Sequence, residues 1–215
     1  MESQTTLKTI RQESQKIGVC LSDEAISQIE TYFQELMRWN QKINLTGHKE
    51  KNYILANLFI DSLAFHKVFE QKTRSSILDI GSGAGFPGLP LKISCPSLSV
   101  TLVEPNLKKV SFLHHIIGTL KLKNVSVEPS RVEDLNKSEE YKRIFDFIFL
   151  KALRFDVCLP YVKTFLREDG KLVLSRSKKP QKIEEIPGFF VQEEISYLLP
   201  FGCGERVLLV LGPAN

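Results

Sequence analysis

The chain has 215 residues, 42% hydrophobic and 25% charged, with 29 basic side chains against 25 acidic ones and a formal net charge of +4. That length supports one substantial core, or a core plus a small extension, and the composition is that of an ordinary globular protein. No stretch approaches the roughly 20 uncharged apolar residues of a membrane span, and Met1 to Lys16 has no signal-peptide apolar segment, so a cytoplasmic protein is expected. Cys20, Cys95, Cys158 and Cys203 are far apart with no Cys-x-x-Cys pair, which favours reduced thiols over a zinc site or disulfide framework. The mildly basic balance permits a nucleic-acid partner without demanding one.

In chain order, Ser22-Asp23-Glu24 reads as a helix start, with Ser22 as N-cap and acids in the first turn. Ile26, Ile29, Phe33, Leu36 and Met37 then recur at helical spacing up to Trp39. A second helical pattern, Tyr53 to Phe69, carries Ile54, Leu58, Leu63 and Phe65. These helices form an N-terminal extension, residues 1–72, expected to pack as one unit on a core of residues 73–215. Ile77 to Ile80 reads as a buried strand, Ser99 to Glu104 as a second, Leu107 to Leu120 as a helix and Val125 to Glu128 as a third strand. Ile144 to Leu150 is apolar enough to be a central strand covered on both faces. Val157 to Leu166 predicts a helix, and Lys171 to Ser175 a fifth strand after an Asp169-Gly170 turn. Val191 to Leu199 and Arg206 to Leu211 read as an antiparallel hairpin at the sheet edge. The expected fold is α/β: a seven-stranded, doubly wound Rossmann-like sheet with an antiparallel terminal hairpin and a helical N-terminal extension.

The first strand runs directly into Gly81-Ser82-Gly83-Ala84-Gly85-Phe86-Pro87-Gly88. Such strand–turn–helix units bind nucleotides, because glycines allow φ > 0 and let a ligand approach the backbone. Two spacings compete. Residues 83–88 fit the dinucleotide pattern G-x-G-x-x-G, whereas Gly81, Gly83 and Gly85, with Asp79 two residues earlier, fit the turn of S-adenosylmethionine (SAM) methyltransferases. Asp79 would repel a pyrophosphate but suits the amino group of a methionine moiety. Glu104 ends the second strand, where its oxygens could accept both ribose hydroxyls. The closing hairpin is not a second mononucleotide-binding half, which also favours SAM; a nicotinamide-dependent dehydrogenase is the distant alternative.

Taken together, the segments resemble the bacterial methyltransferase family that modifies guanine N7 in small-subunit (16S) ribosomal RNA, long called glucose-inhibited division protein B. Trp39 to Thr46 is similar to its W-N-x-x-x-N-L-T segment, and Asp61-Ser62-Leu63 to its D-S-L segment. Leu78 to Leu91 closely resembles its cofactor turn, and Lys108 to Leu113 and Ser130-Arg131-Val132-Glu133 follow in order. The resemblance covers about residues 20–211. It implies the class I SAM-dependent methyltransferase fold, SAM as cofactor, and contacts to it at Gly81, Phe86, Val132 and Glu133, alongside Asp79, Gly83, Gly85 and Glu104 from the turn reading. Arg131, Lys151 and Arg206 are the candidate RNA-binding cations. The chain departs from the family pattern twice: Leu150-Lys151-Ala152 stands where the family has S-R-A, and Leu58 where it has His. Lysine keeps the charge but loses the bidentate fork, which Arg154 could supply.

The resemblance implies methyl transfer to a guanine N7 in the 530 loop, with 16S rRNA or the 30S subunit as partner and a monomeric enzyme. Guanine N7 carries an in-plane lone pair and needs no deprotonation, so no general base and no metal are expected. A loop carrying Arg176, Lys178, Lys179 and Lys182 lies at the ligand edge and is a candidate RNA contact. Lys108-Lys109 and Lys121 with Lys123 are further basic segments. A non-catalytic ribosome-assembly factor with a SAM-binding fold, or a methyltransferase for a small molecule or protein, are the competing readings.

Overall fold

The structure is a computed structural model and describes residues 2–69, 74–151, 155–177 and 186–214. It opens with a helix α1, Glu2–Lys16, absent from the sequence expectation because its mean composition is polar. Ile10 and Ser14 are nonetheless fully buried. Helix α2, Asp23–Asn40, starts where expected: the Ser22 side chain accepts from the Ala25 amide at 3.1 Å, satisfying one of the donors a helix leaves open. Its buried face carries Ile26, Ile29, Phe33 and Leu36 and adds Tyr32. After α2, the Asn40 carboxamide shapes the loop, accepting from the Leu45 and Thr46 amides at 2.9 and 3.0 Å and donating to the His48 carbonyl at 3.0 Å.

The single helix expected over Tyr53 to Phe69 is four short pieces. They are α3, Lys51–Ile54; a π-helical segment, Leu55–Ile60; α4, Asp61–Leu63; and a 3-10 segment, Ala64–Val68. The widened turn coincides with a tertiary contact. The Asp61 amide donates to the Ala56 and Leu58 carbonyls and skips that of Asn57. The Asn57 carbonyl instead accepts from the Lys151 ammonium at 2.7 Å, 94 residues away.

The sheet contains β1 (Ser76–Ile80), β2 (Ser99–Val103), β3 (Val125–Glu128), β4 (Phe145–Lys151), β5 (Leu166–Arg176), β6 (Phe189–Leu198) and β7 (Glu205–Pro213) in the order β3-β2-β1-β4-β5-β7-β6. β1 to β5 are parallel, and β7 runs antiparallel between β5 and β6. β5 begins at Leu166, five residues before its expected start at Lys171, because Asp169-Gly170 is an irregularity in the pairing and not a turn outside it. The crossover helices are α5 (Gly88–Ser94), α6 (Leu107–Thr119), α7 (Val132–Leu135) and α8 (Phe155–Phe165).

Alternation along the strands divides the core in two. Ile77, Leu102, Phe147, Phe149 and Val173 face the helical extension, α5 and α6. Leu78, Ile80, Ile148, Leu150 and Leu172 pack with Cys158, Val162 and Phe165 of α8. The extension shares one continuous apolar cluster with the sheet: Phe59 is fully buried, edge-on to Tyr32 and Phe86 at ring-centroid distances of 5.0 Å each. No helix among the described residues is long and apolar enough to cross a membrane. Truncating Phe59 to alanine empties the seam between extension and sheet, and urea denaturation should show a loss of roughly 3–5 kcal/mol in unfolding free energy.

Candidate active site

β1 has β2 on one side and β4 on the other, so the chain crosses in opposite directions from it and opens a crevice at the strand ends, where doubly wound sheets bind ligands. The glycine turn sits there. The amides of Gly81 and Ser82 both donate to the Val103 carbonyl, at 2.9 and 3.1 Å, tying the end of β1 to that of β2. The Gly85 and Phe86 amides then fold back onto the Ser82 carbonyl at 2.7 and 2.9 Å. Gly81, Gly83 and Gly85 have φ of +72°, +61° and +101°, a region that side chains with a Cβ rarely adopt.

The glycines serve different purposes. A Cβ on Gly83 would meet only the Gly81 carbonyl, at 3.9 Å, so its bare backbone faces open space that a ligand can enter. A Cβ on Gly85 would lie 2.5 Å from the Leu89 side chain and 2.7 Å from the Tyr32 hydroxyl. Gly85 is therefore demanded by packing inside the protein. So is Gly88, where a Cβ would lie 2.6 Å from Leu102 and 2.9 Å from the Asp79 carboxyl.

Two acidic groups flank the turn, both nearly inaccessible. Glu104 accepts from the Gly83 amide through one oxygen and from the Asn106 amide through the other, each at 2.9 Å. Asp79 accepts from the Gly88 amide at 2.9 Å through Oδ2, while its Oδ1 has no partner. Burial pushes the Asp79 carboxyl up to about 7, against the opposing pull of the Gly88 N–H and the Lys151 charge; Glu104 adds a smaller upward push. Beside the turn lies a cleft of about 350 Å³ lined by Gly81, Val103 and Pro105 on the β1–β2 side and by Ser130, Arg131, Val132 and Glu133 after β3. Ser130 Oγ is buried there without a partner. A cavity of about 610 Å³, lined among others by Lys16, Lys67, Tyr197 and Glu205, contains no residue of the turn.

The expected RNA-binding cations separate. Arg131 is exposed on the rim of the cleft. Lys151 points inward: its ammonium pairs with Asp61 Oδ2 at 2.8 Å, donates to the Asn57 carbonyl at 2.7 Å and reaches Ser62 Oγ at 3.4 Å. Its side chain is 10% exposed and lies 5.9 Å from the Phe86 ring centroid. Arg206 donates to Asn57 Oδ1 at 2.6 Å, and the Tyr197 hydroxyl donates to Asp61 Oδ1 at 2.6 Å. Burial, followed by the charge of Asp61, holds the Tyr197 hydroxyl well above the usual phenol range. Lys151 and Arg206 thus share Asn57 in one network joining the π-helical segment, β4, β6 and β7. Arg154, Lys178, Lys179 and Lys182 lie outside the described residues. Leu58 is half-buried against the apolar cluster.

Sequence reasoning attached no role to Asn57, Asp61, Tyr197 or Tyr32. Asp61 lay in a quoted motif, and Tyr32 falls three residues after Ile29 on the buried face of α2, but their partners are 52 to 136 residues distant.

A seven-stranded sheet in this order, with a glycine turn and an acid at the end of β2 at its switch point, defines a class I SAM-dependent methyltransferase fold. A SAM-dependent methyltransferase from Aquifex aeolicus shares it, with a TM-score of 0.53 at 20% identity over 74% of this chain and 92% of that one. The profile of the GidB family, described as rRNA small subunit methyltransferase G, matches residues 25–189. Ribosomal RNA small subunit methyltransferase G of Lactococcus lactis subsp. cremoris is 38% identical over 211 residues, covering 91% of this chain and 86% of the relative. The protein of that name from Lachnoclostridium phytofermentans is 32% identical over 211 residues, covering 94% and 87%. The chain belongs to the rRNA small subunit methyltransferase G family.

Two outcomes follow from the buried charges. Asp61→Ala strands the Lys151 ammonium, and denaturation at neutral pH should show a loss on the order of 3–5 kcal/mol. For Asp79 the folded carboxyl titrates above its unfolded value of 3.8. The folded state therefore binds the extra proton between about pH 4 and 7, and its stability falls as pH rises through that window. Asp79→Asn removes this decline, so the thermal midpoint of the variant relative to wild type should rise from pH 5 to pH 7.5.

Proposed function

We propose that this protein transfers the methyl group of SAM to N7 of a guanine in the 530 loop of 16S rRNA, acting as a cytoplasmic monomer on the rRNA or the 30S subunit. The observation that carries the reading is the open face of Gly83 between two buried acids, next to a cleft of purine-accommodating size, in a chain of this family. The residues suit SAM. Val103, Pro105 and Val132 offer apolar walls for a flat base, with Glu133 and the Val132 backbone beside them to read its edge. Each Glu104 oxygen holds one backbone N–H and keeps a lone pair for a ribose hydroxyl. The Asp79 carboxyl, whose Oδ1 has no partner, would be the acceptor for a methionine ammonium, and that cation would favour its ionised form. Gly81, Gly85 and Phe86 shape the turn around it.

When bound, SAM supplies an electrophilic methyl group on a sulfonium. The N7 lone pair needs no base, so the work of the chain is positioning, a contribution that can reach about 7–11 kcal/mol of barrier. Arg131, exposed on the rim, is placed to meet RNA phosphate or guanine O6. Arg206 and Lys151 act through the network at Asn57: they hold the π-helical segment against the sheet and keep the floor under Phe86 rigid. The helical extension and the sheet work as one unit in this reading, since Asp61 and Asn57 come from the first and Lys151 and Arg206 from the second.

The test is methyl transfer from labelled SAM to 30S subunits and to protein-free 16S rRNA lacking the mark, followed by mapping of the product base. One N7-methylguanine in the 530 loop supports the proposal; SAM binding without transfer to either substrate points to an assembly factor. Gly83→Val should weaken SAM binding at least a hundredfold by isothermal titration and lower the thermal midpoint, because the added side chain enters the ligand space and a β-branched residue strains the left-handed backbone at φ +61°.

A further inference from the structure

Tyr32 belongs to α2, in the helical extension, yet it reaches the glycine turn. Its side chain is fully buried, and its hydroxyl donates to the Ala84 carbonyl between the second and third glycines. Its ring stacks on that of Phe86, with centroids 5.2 Å apart and planes 7° from parallel, and meets Phe59 edge-on at 5.0 Å and 71°. The hydroxyl also lies only 2.7 Å from where a Cβ on Gly85 would stand, beside the Leu89 side chain at 2.5 Å. One side chain thus touches the turn at three successive residues: a hydrogen bond at Ala84, steric closure at Gly85 and a stack at Phe86.

We infer that Tyr32 is a positioning residue for the cofactor turn, so that the helical extension is a working part of the cofactor site and not a covering layer. The inference rests on the SAM reading above for its ligand, while its geometry stands without it. The Ala84 carbonyl lies inside the protein, since Ala84 is 5% exposed, and a buried acceptor that loses its donor is costly to leave unpaired. The cheapest relief is rotation of the Ala84–Gly85 peptide. That peptide turns about ψ of Ala84 and φ of Gly85; the second has no Cβ to resist it, so its orientation is held by the Tyr32 hydroxyl on the Ala84 carbonyl and by the Gly85 amide, which donates to the Ser82 carbonyl at 2.7 Å. Removing the hydroxyl leaves the Ser82 bond alone to hold this peptide, and Tyr32 thereby selects the shape of the turn beside the open face of Gly83. This also explains Gly85: its missing Cβ makes room for Leu89 and Tyr32, whereas that of Gly83 leaves room for ligand.

The experiment compares the full chain with Tyr32→Phe, which keeps the ring stack and removes only the hydroxyl, and with Ile26→Val, which thins the buried face of the same helix two turns away. Amide hydrogen exchange of the peptide spanning residues 81–88 is measured without ligand, and SAM affinity by titration calorimetry. Tyr32→Phe should speed exchange in the turn and raise the SAM Kd, each on the order of tenfold. Ile26→Val should lower the thermal midpoint and leave both unchanged. Unaltered turn exchange in Tyr32→Phe, or an SAM Kd within twofold of wild type, overturns the inference, as does an equal effect from Ile26→Val. Failure of the wild-type chain to bind SAM counts against the proposed function alone, because the exchange comparison still decides whether Tyr32 holds the turn.

Discussion

The carbonyl oxygen of Val103 accepts two amides, those of Gly81 and Ser82, and the site is built outward from that point. These bonds stop the first strand level with the second and force the chain to reverse into α5. Left-handed backbone is the geometric consequence, and glycine the chemical one. Glu104, the residue after Val103, is carried to the turn by the same register and fastens the Gly83 amide. The crevice at the switch point comes from the topology, but its inner surface is set by these few backbone bonds.

A second constraint is the charge balance beneath the turn. Asp79 and Glu104 place two carboxyl groups in a region that excludes water, and Lys151 is the cation whose field reaches Asp79. Lys151 is itself committed to Asp61, and Asp61 to Tyr197. Buried pairs of this kind add little net stability relative to an apolar core, but removing one member is expensive. Their use here is registration. The network fixes the π-helical segment against the strand ends, and the segment presents Asn57 to the cations and Phe59 to Tyr32 and Phe86. The polar edge and the glycine turn are two sides of one short, irregular stretch of helix.

Two of the family-like segments hold the fold through side-chain hydrogen bonds and ion pairs. Asn40, in the segment beginning Trp39-Asn40, folds the loop behind α2 through three hydrogen bonds. Asp61, in Asp61-Ser62-Leu63, is the anion that holds Lys151. Lys151 is matched to that setting: an ammonium has three protons, and Asp61, Asn57 and Ser62 offer three acceptors.

What the sequence determined by itself was local or periodic. The apolar alternation of the strands, the Ser22 cap, the glycine turn with Asp79 before it and Glu104 beyond it, and the closing hairpin could all be read because each depends on residues a few positions apart. Together with the family segments they define the sheet, the cofactor class and the family. The tertiary structure alone decided the rest. A regular helix is the local expectation for Tyr53 to Phe69, whereas the folded chain breaks it into four pieces and sets the Asn57 carbonyl on the Lys151 ammonium of β4. Composition hid α1, whose few buried residues find their partners only in the folded chain. Arg131, Lys151 and Arg206 are all candidate RNA contacts in the sequence, and folding turned Lys151 inward beside Asp61 and tied Arg206 to Asn57. Tyr32 read as one more core position on α2 until folding placed its hydroxyl on Ala84. In each case the deciding contact joins segments far apart in the chain, where spacing and propensity carry no signal and only the packing of the helical extension on the sheet brings the partners within reach.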